Sequence, residues 1–364
     1  MNTSFAAIVL AASVSASAGA TGEAALPDYR PAQKLEGTLR ASGNDRMAGL
    51  MKRWGSGFRK YHPEIRFESQ LRGSGSGIYG LEMRTADIAL MGRPIHPYER
   101  YGVYERAWVY PVEIEVATGS FSQPHKSPAY AVFVHKSNPL AQLTLQQLDG
   151  VFGAERGGGW KALTWDETAA RTKEQNLRTW GQLGLTGEWA NKPIHVYGPP
   201  NQGAGTITAF QTRVMGGGAI FNEELREYAD RKQMIADLEK DPQGIAYTAL
   251  GYRSAGVKPL ALAANAASPA VTLTRGSVAD RSYPLARPVY IYYTIDNEKT
   301  EIATPRVTPL VREFLSYVLS KQGQQVVAQE GVYLPLPVTA AAQQRGKLAN
   351  QEIPPERKLL EDAN

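Results

Sequence analysis

The chain has 364 residues, 43% of them hydrophobic and 21% charged. That length suits about two or three domains, and the hydrophobic share excludes wholesale disorder. No cysteine is present, which excludes disulfides, thiolate zinc sites, iron–sulfur clusters and a cysteine nucleophile. The 40 basic and 35 acidic residues leave a net charge of +5. Such a mild excess suits a protein that handles an anion, and it falls short of the dense basic runs of a nucleic-acid binder.

Residues 5–14 (FAAIVLAASV) are apolar and residues 15–20 (SASAGA) are small. This is the pattern of an export signal with a small-residue cleavage site, so residues 1–20 are expected to be removed and the mature protein to be periplasmic. Beyond it no apolar run is long enough to span a bilayer. Residues 35–41 predict a strand, and Ser42-Gly43-Asn44-Asp45 a turn that opens a helix carrying Met47, Leu50, Met51, Trp54 and Phe58 on one face. Residues 64–69 alternate as a strand. GSGSG at 73–77 breaks the chain ahead of helical turns over 78–84, and strands follow at 86–91, 113–118 and 130–135.

The middle of the chain repeats this order. A short helix is expected at 143–151, a strand at 193–198, a glycine turn at 201–205, a helix at 206–215, a longer helix at 222–238 capped by Asn222, and a strand at 245–250. Residues 154–178 lack periodicity and read as a surface insertion. A strand at 288–294 precedes a helix with Leu310, Val311, Phe314, Leu315, Val318 and Leu319 on one stripe, and 338–364 read as a loose polar tail. Alternating strands and helices of this kind make an α/β protein.

Three glycine turns lie between a strand and a helix: residues 42–46 (SGNDR), 73–77 (GSGSG) and 203–206 (GAGT). The first N–H groups of a helix lack internal partners and sit at its positive dipole end. Glycine admits close approach of a ligand, and Ser or Thr adds a hydroxyl, so three such turns point to a small oxyanion site. No Lys-Ser or Lys-Thr follows at P-loop spacing. G-x-S-x-G and H-E-x-x-H are absent, so a binding protein is expected and not an enzyme. His62, His96, His125, His135 and His195 show no metal-ligand spacing, so neither a metal nor a cofactor is expected.

Several phrases occur in a shared order: GSGSGI at 73–78, ADIALMGRPI at 86–95, AVFVHKSNPLAQLTLQQLDGVFG at 131–153, IHVYGPPNQGAGTITAF at 194–210, GIAYTALGY at 244–252, YPLARPVYIYY at 283–293 and FLSYVLSKQGQQVVAQEGVYLPLP at 314–337. In them the chain resembles the phosphate-binding proteins of bacterial phosphate ABC transporters, which are type II periplasmic binding proteins. The resemblance implies two α/β lobes, each a mixed sheet with flanking helices, joined by two crossover strands and closing on a ligand. It places lobe one at 35–132 plus 294–337 and lobe two at 133–293, with crossovers at 131–135 and 283–293. It also implies inorganic phosphate or a similar oxyanion as ligand, an ABC permease as partner and a monomeric protein.

The family's site residues transfer unevenly. Its first-loop pattern falls on Gly43, Asn44, Asp45 and Arg46, so Arg46 replaces a hydroxyl. Its serine loop matches at Ser74 and Ser76, beside Gly75 and Gly77. Its lobe-two arginine and serine fall on Pro200 and Ala204, whereas Gly205 and Thr206 match. The expected site is therefore an oxyanion held by Asn44, Arg46, Ser74 and Ser76 and by the backbone of Gly203, Ala204, Gly205 and Thr206. Arg46 or Arg93 would supply the charge, and Asp45 would accept the proton of hydrogen phosphate. The missing arginine and serine also leave open a divergent protein that has lost tight phosphate binding and acts as a sensor or interaction protein.

Overall fold

The computed structural model describes residues 25–107, 110–161, 164–200, 205–218, 220–295 and 308–350. The expected signal segment and Gly203 and Ala204 lie outside these residues. In chain order the elements are β1 (Gly37–Gly43), a 3-10 turn (Asp45–Met47), α1 (Ala48–Phe58), β2 (Ile65–Leu71), α2 (Ser74–Glu82), β3 (Ile88–Met91), α3 (Pro97–Ala107), β4 (Pro111–Thr118) and β5 (Tyr130–His135). There follow β6 (Gln142–Thr144), α4 (Leu145–Phe152), β7 (Gly159–Lys161), β8 (Thr164–Asp166), β9 (His195–Gly198), α5 (Gly205–Val214), β10 (Arg226–Glu227), α6 (Arg231–Leu238) and β11 (Gly244–Ala249). The chain continues through β12 (Val257–Pro259), β13 (Ala261–Ala263), α7 (Arg275–Ala279), β14 (Pro288–Thr294), α8 (Pro309–Val318), α9 (Lys321–Glu330) and α10 (Val338–Asn350).

Two five-stranded sheets share one topology. The first runs β2-β1-β3-β14-β4 and the second β10-β9-β11-β5-β12. In each, three strands are parallel, and the fourth (β14 or β5) runs antiparallel to both of its neighbours. Period-2 alternation accounts for the two faces of the first sheet. Ile88, Leu90, Val289, Ile291 and Tyr293 pack in a core with Leu50, Trp54, Phe58 and Phe314. The intervening Ala89, Met91, Tyr290 and Tyr292 pack on the other face with Ile78, Leu81 and Val103. The second sheet has its own core, built on Val132, Val134, Phe152, Phe210 and Tyr247.

β5 belongs wholly to the second sheet and β14 wholly to the first. The chain therefore crosses between sheets in 119–129 and again just before Pro288. This differs from the expected crossovers at 131–135 and 283–293. The reason is pairing: β5 matches β11 over five residue pairs, and β14 matches β4 along its whole length.

Two further elements depart from the sequence reading. The helix expected at 222–238 forms only over Arg231–Leu238, because Asp230 caps it by accepting from the Lys232 and Gln233 N–H groups. Upstream, Asn222 Oδ1 accepts from the Glu224 N–H at 3.1 Å, closing a turn, and β10 then pairs with β9. Of the tail expected at 338–364, residues 338–350 form α10, and 351–364 lie outside the described residues. Ala341 and Leu348 are buried in the first core, and Gln344 Oε1 accepts from the Glu115 N–H of β4 at 3.1 Å. The small buried Ala340 and Ala341 let the helix seat closely.

The insertion at 154–178 contains the β7–β8 hairpin. It is fixed to the C-terminal end of α4, where unpaired carbonyls attract guanidinium groups. Arg156 grips Asp149 with bonds of 2.8 and 2.6 Å, Arg171 donates to the Gly153 carbonyl at 2.6 Å, and Arg178 donates to that of Gly150 at 2.8 Å.

The docking of α10 is directly measurable. Leu348→Ala is expected to cost about 2–5 kcal/mol in urea unfolding, the usual range for a buried Leu→Ala change. A change below about 0.5 kcal/mol would mean that this helix contributes nothing to the core.

Candidate functional site

Parallel strands leave a crevice beyond their carboxyl ends, and the candidate site lies there. Asn44 follows β1, Ser74 follows β2 and Gly92 follows β3, whereas Thr248 and Ala249 end β11 in the opposite sheet. Together with Pro124, His125, Ser127 and Pro128 from the first crossover, Tyr130 at the start of β5, Ala229, Asp230, Arg231 and Tyr252 from the second lobe, and Arg93 and Arg287, they line a cleft of about 730 Å³.

The Gly92 carbonyl organises one end of this cleft. It accepts from Ser127 Oγ at 2.9 Å and from an Arg287 guanidinium nitrogen at 2.9 Å. The Gly92 N–H donates to Ser74 Oγ at 3.2 Å. A Cβ at position 92 would run into the Asn44 amide and lie 2.7 Å from Ser127 Oγ. Asn44 Oδ1 accepts from the Arg46 N–H at 2.9 Å, which turns its amide group toward Gly92. Arg287 is buried, with its guanidinium carbon 4.8 Å from the centre of the Tyr130 ring, a cation–π distance. Ser127 and His125 both have positive φ, 48° and 64°, a conformation that non-glycine residues seldom adopt. The crossover thus carries strain where it meets the cleft.

Across the cleft, Arg231 is the first residue of α6. It donates to the Tyr228 carbonyl and, at 3.2 Å, to that of Ala229. Burial pushes its guanidinium below the usual arginine range, while the nearby Tyr247 and Tyr252 act in the opposite direction. The N-terminal ends of α2 and α6, at Ser74 and Arg231, therefore border one space from opposite lobes.

The residues singled out in the sequence separate into three groups. Asn44, Ser74 and Arg93 line the cleft. Arg93, however, is engaged by Glu99 through bonds of 2.7 and 2.6 Å, and both side chains are nearly enclosed. Asp45, Arg46, Gly75, Ser76 and Gly77 are not among the described lining residues. Arg46 pairs with its neighbour Asp45 at 3.2 Å, and both side chains are about half exposed. Ser76 Oγ turns back to the Gly73 carbonyl at 2.8 Å, because helix α2 begins at Ser74 and places Ser76 inside its first turn. A Cβ at Gly77 would sit 3.0 Å from Ala89 and 3.1 Å from Gly43, so that glycine serves the packing of helix on strand. Gly205 and Thr206 begin α5; Gly203 and Ala204 fall outside the described residues.

Arg287, Ser127, Arg231 and Tyr252 were not anticipated. Only Arg287 had a local signal, as a lone charge between Ala286 and Pro288 leading into an apolar strand. Among the described residues no three His, Asp or Glu side chains stand close enough to hold a metal ion, and no helix is long and apolar enough to cross a membrane.

The close packing around Gly92 makes it a sensitive position. Gly92→Ala is expected to displace the Asn44 amide and Ser127 and to weaken anion binding about tenfold or more in isothermal titration. Binding unchanged from wild type would show that Asn44 and Ser127 do not contribute.

A family model described as a PBP superfamily domain matches residues 18–322. Among curated relatives, the phosphate-binding protein PstS of Pseudomonas aeruginosa is 33% identical over 326 residues, covering 90% of this chain and 91% of that protein. PstS of Staphylococcus saprophyticus is 24% identical over 318 residues, covering 86% and 85%. Two solved structures share the fold. An ABC-type phosphate transport receptor from Vibrio cholerae has a TM-score of 0.51 at 19% identity, covering 81% of this chain and 99% of that one. PstS from Borrelia burgdorferi has a TM-score of 0.52 at 16% identity, covering 83% and 99%. On sequence match and topology together, the chain belongs to the PBP superfamily and, within it, to the family of phosphate-binding proteins of bacterial phosphate ABC transporters.

Proposed function

We propose that the protein captures phosphate, or an oxyanion of the same tetrahedral form, in the interlobe cleft and presents it to an ABC permease in the inner membrane. The observation that carries this reading is the convergence of Arg287 and Arg231 with Asn44, Ser74 and Ser127 on one cleft between two sheets of identical topology. A tetrahedral anion offers acceptors in four directions. Guanidinium, amide and hydroxyl donors fixed on both sides of a cleft suit that shape. The curated relatives from Pseudomonas aeruginosa and Staphylococcus saprophyticus are named phosphate-binding proteins, which supports the same ligand. The N-terminal signal pattern and the family support export to the periplasm. The protein acts by binding and not by catalysis, with the two lobes moving about the crossovers at 119–129 and ahead of Pro288.

In this reading the charge comes from Arg287 and Arg231, not from Arg46. The family's lobe-two arginine falls on Pro200, and Arg46 is half exposed beside Asp45, where an ion pair contributes little. The alternative of a divergent protein without tight phosphate binding rests on the same Pro200 and Ala204.

Titration calorimetry of the purified protein with phosphate and with sulfate separates the two readings. Hydrogen bonds to a charged partner contribute about 1.5–3 kcal/mol, so Arg287→Gln is expected to weaken phosphate binding about tenfold to a hundredfold. Arg46→Ala is expected to leave it within about twofold. Absence of measurable binding in the wild type favours the divergent reading. An Arg46→Ala loss equal to that of Arg287→Gln would move the site out of the cleft.

A further inference from the structure

Resting on the oxyanion reading, we propose that Glu99 is a specificity-determining residue of the cleft. By holding Arg93 it withholds one positive charge from the bound anion, which limits the affinity for phosphate and disfavours fully ionised dianions.

The two residues belong to one short segment. Arg93 follows Gly92, whose carbonyl gathers Ser127 and Arg287, and it lines the cleft. Helix α3 begins at Pro97 and carries Glu99 in its first turn, the helix end that favours a carboxylate. The Arg93 fork is turned onto this carboxylate, with nitrogen–oxygen distances of 2.7 and 2.6 Å. One of the same nitrogens also donates to the Pro94 carbonyl at 3.0 Å. A guanidinium has five N–H donors, and three of those of Arg93 are thus committed within its own segment. Glu99 is fixed in return. It accepts from the His96 N–H at 2.9 Å, and its side chain is only 10% exposed.

No second cation on this segment makes good the loss. Burial above all, and then the Arg93 charge, hold the His96 imidazole below the usual histidine range, with Glu99 acting in the opposite direction. The ring therefore stays neutral near neutral pH. Arg287, by contrast, is aimed by a carbonyl and by the face of Tyr130. A carboxylate behind one wall of an anion site repels the ligand in proportion to the ligand's charge, so it costs a dianion about twice what it costs a monoanion. Without the Glu99 charge, Arg93 would be a buried cation lacking compensation, and the bound anion would become its partner. A protein that hands its ligand on must also let it go, and an arginine neutralised from behind limits how tightly the closed cleft holds it.

The test is calorimetric titration of the full mature chain with inorganic phosphate and, by competition against phosphate, with sulfate, in mildly acidic buffer where phosphate is mostly singly charged. Glu99→Gln keeps an oxygen that can accept from Arg93 and from the His96 N–H but removes the charge. It is expected to tighten phosphate about tenfold, the order of effect of one charge beside a poorly screened site, and sulfate by more. Glu99→Asp keeps the charge and is expected to stay within about threefold of wild type. Arg93→Met is expected to weaken phosphate about tenfold, and Arg93→Met combined with Glu99→Gln to return within about threefold of wild type. A gain in affinity is a readout that simple loss of structure does not produce. Unchanged or weaker phosphate binding in Glu99→Gln overturns the inference and leaves the oxyanion reading standing, as does a sulfate gain smaller than that of phosphate. A double variant as weak as Arg93→Met overturns it too, since Arg93 would then hold the anion directly with Glu99 passive. Absence of phosphate binding in the wild type removes the oxyanion reading and this inference with it. If Glu99→Gln alone does not fold, the comparison of Arg93→Met with the double variant, which leaves no buried charge unpaired, decides.

Discussion

The carbonyl of Gly92 joins the parts that must meet for a cleft to exist. It belongs to the loop after β3, the central strand of the first sheet. Its two donors, Ser127 and Arg287, come from the first and second crossovers. The crossovers also bond to each other, the Gly119 N–H to the Arg287 carbonyl at 2.7 Å and the Tyr130 N–H to that of Leu285 at 3.2 Å. One backbone oxygen thus ties a strand end to both chain passages between the lobes. The tie depends on glycine at 92, because Asn44 and Ser127 occupy the space a Cβ would fill. It also depends on Ser127 adopting a positive φ, a local cost that the surrounding bonds offset.

The elements with strong local patterns were legible in the sequence, and those set by distant pairing were not. The apolar run at 288–294 and the alternating run at 64–69 carry their own period, and they form β14 and β2. Thr144 followed by Gln147 makes a capping box, which starts α4 two residues later than periodicity alone suggests. The segment 222–230 has helix-compatible residues, yet it feeds β10 onto the edge of β9. A two-residue strand is a tertiary event that no local pattern announces. The same holds for α10, whose polar composition gives little sign that Ala341, Gln344 and Leu348 are buried. A helix with few apolar residues docks when those few fall on one stripe over a waiting surface.

The site was legible to the extent that it is made of strand-to-helix turns. Asn44 and Ser74 follow from the glycine turns, because the end of a parallel strand and the start of a helix coincide there. Ser76 illustrates the limit. Helix α2 starts at Ser74 rather than after Gly77, so a hydroxyl two residues further along points back into the turn and bonds to Gly73. The residues from the crossovers were invisible for another reason. Ser127 and Arg287 are 160 positions apart, and only the pairing of two chain passages brings both to Gly92. No periodicity within one segment encodes that meeting.

The distribution of arginines shows how the cleft differs from its surroundings. Arg93 reaches the cleft wall, but the Glu99 carboxylate takes it bidentately in an enclosed position, so the pair adds little net charge to the space beside it. Arg46 lies beside Asp45 in solvent, where water and salt screen it. Arg231 is anchored differently, by the backbone carbonyls of Tyr228 and Ala229. A carbonyl dipole orients a guanidinium without cancelling its charge, although the neighbouring Asp230 carboxylate also acts on Arg231. Arg287 is likewise aimed by the Gly92 carbonyl and the face of Tyr130. Arg231 and Arg287 are thus both oriented by backbone carbonyls and both line the cleft. In the proposed reading, position relative to dipoles and carboxylates, and not the count of basic residues, sets apart the arginines that would hold a ligand.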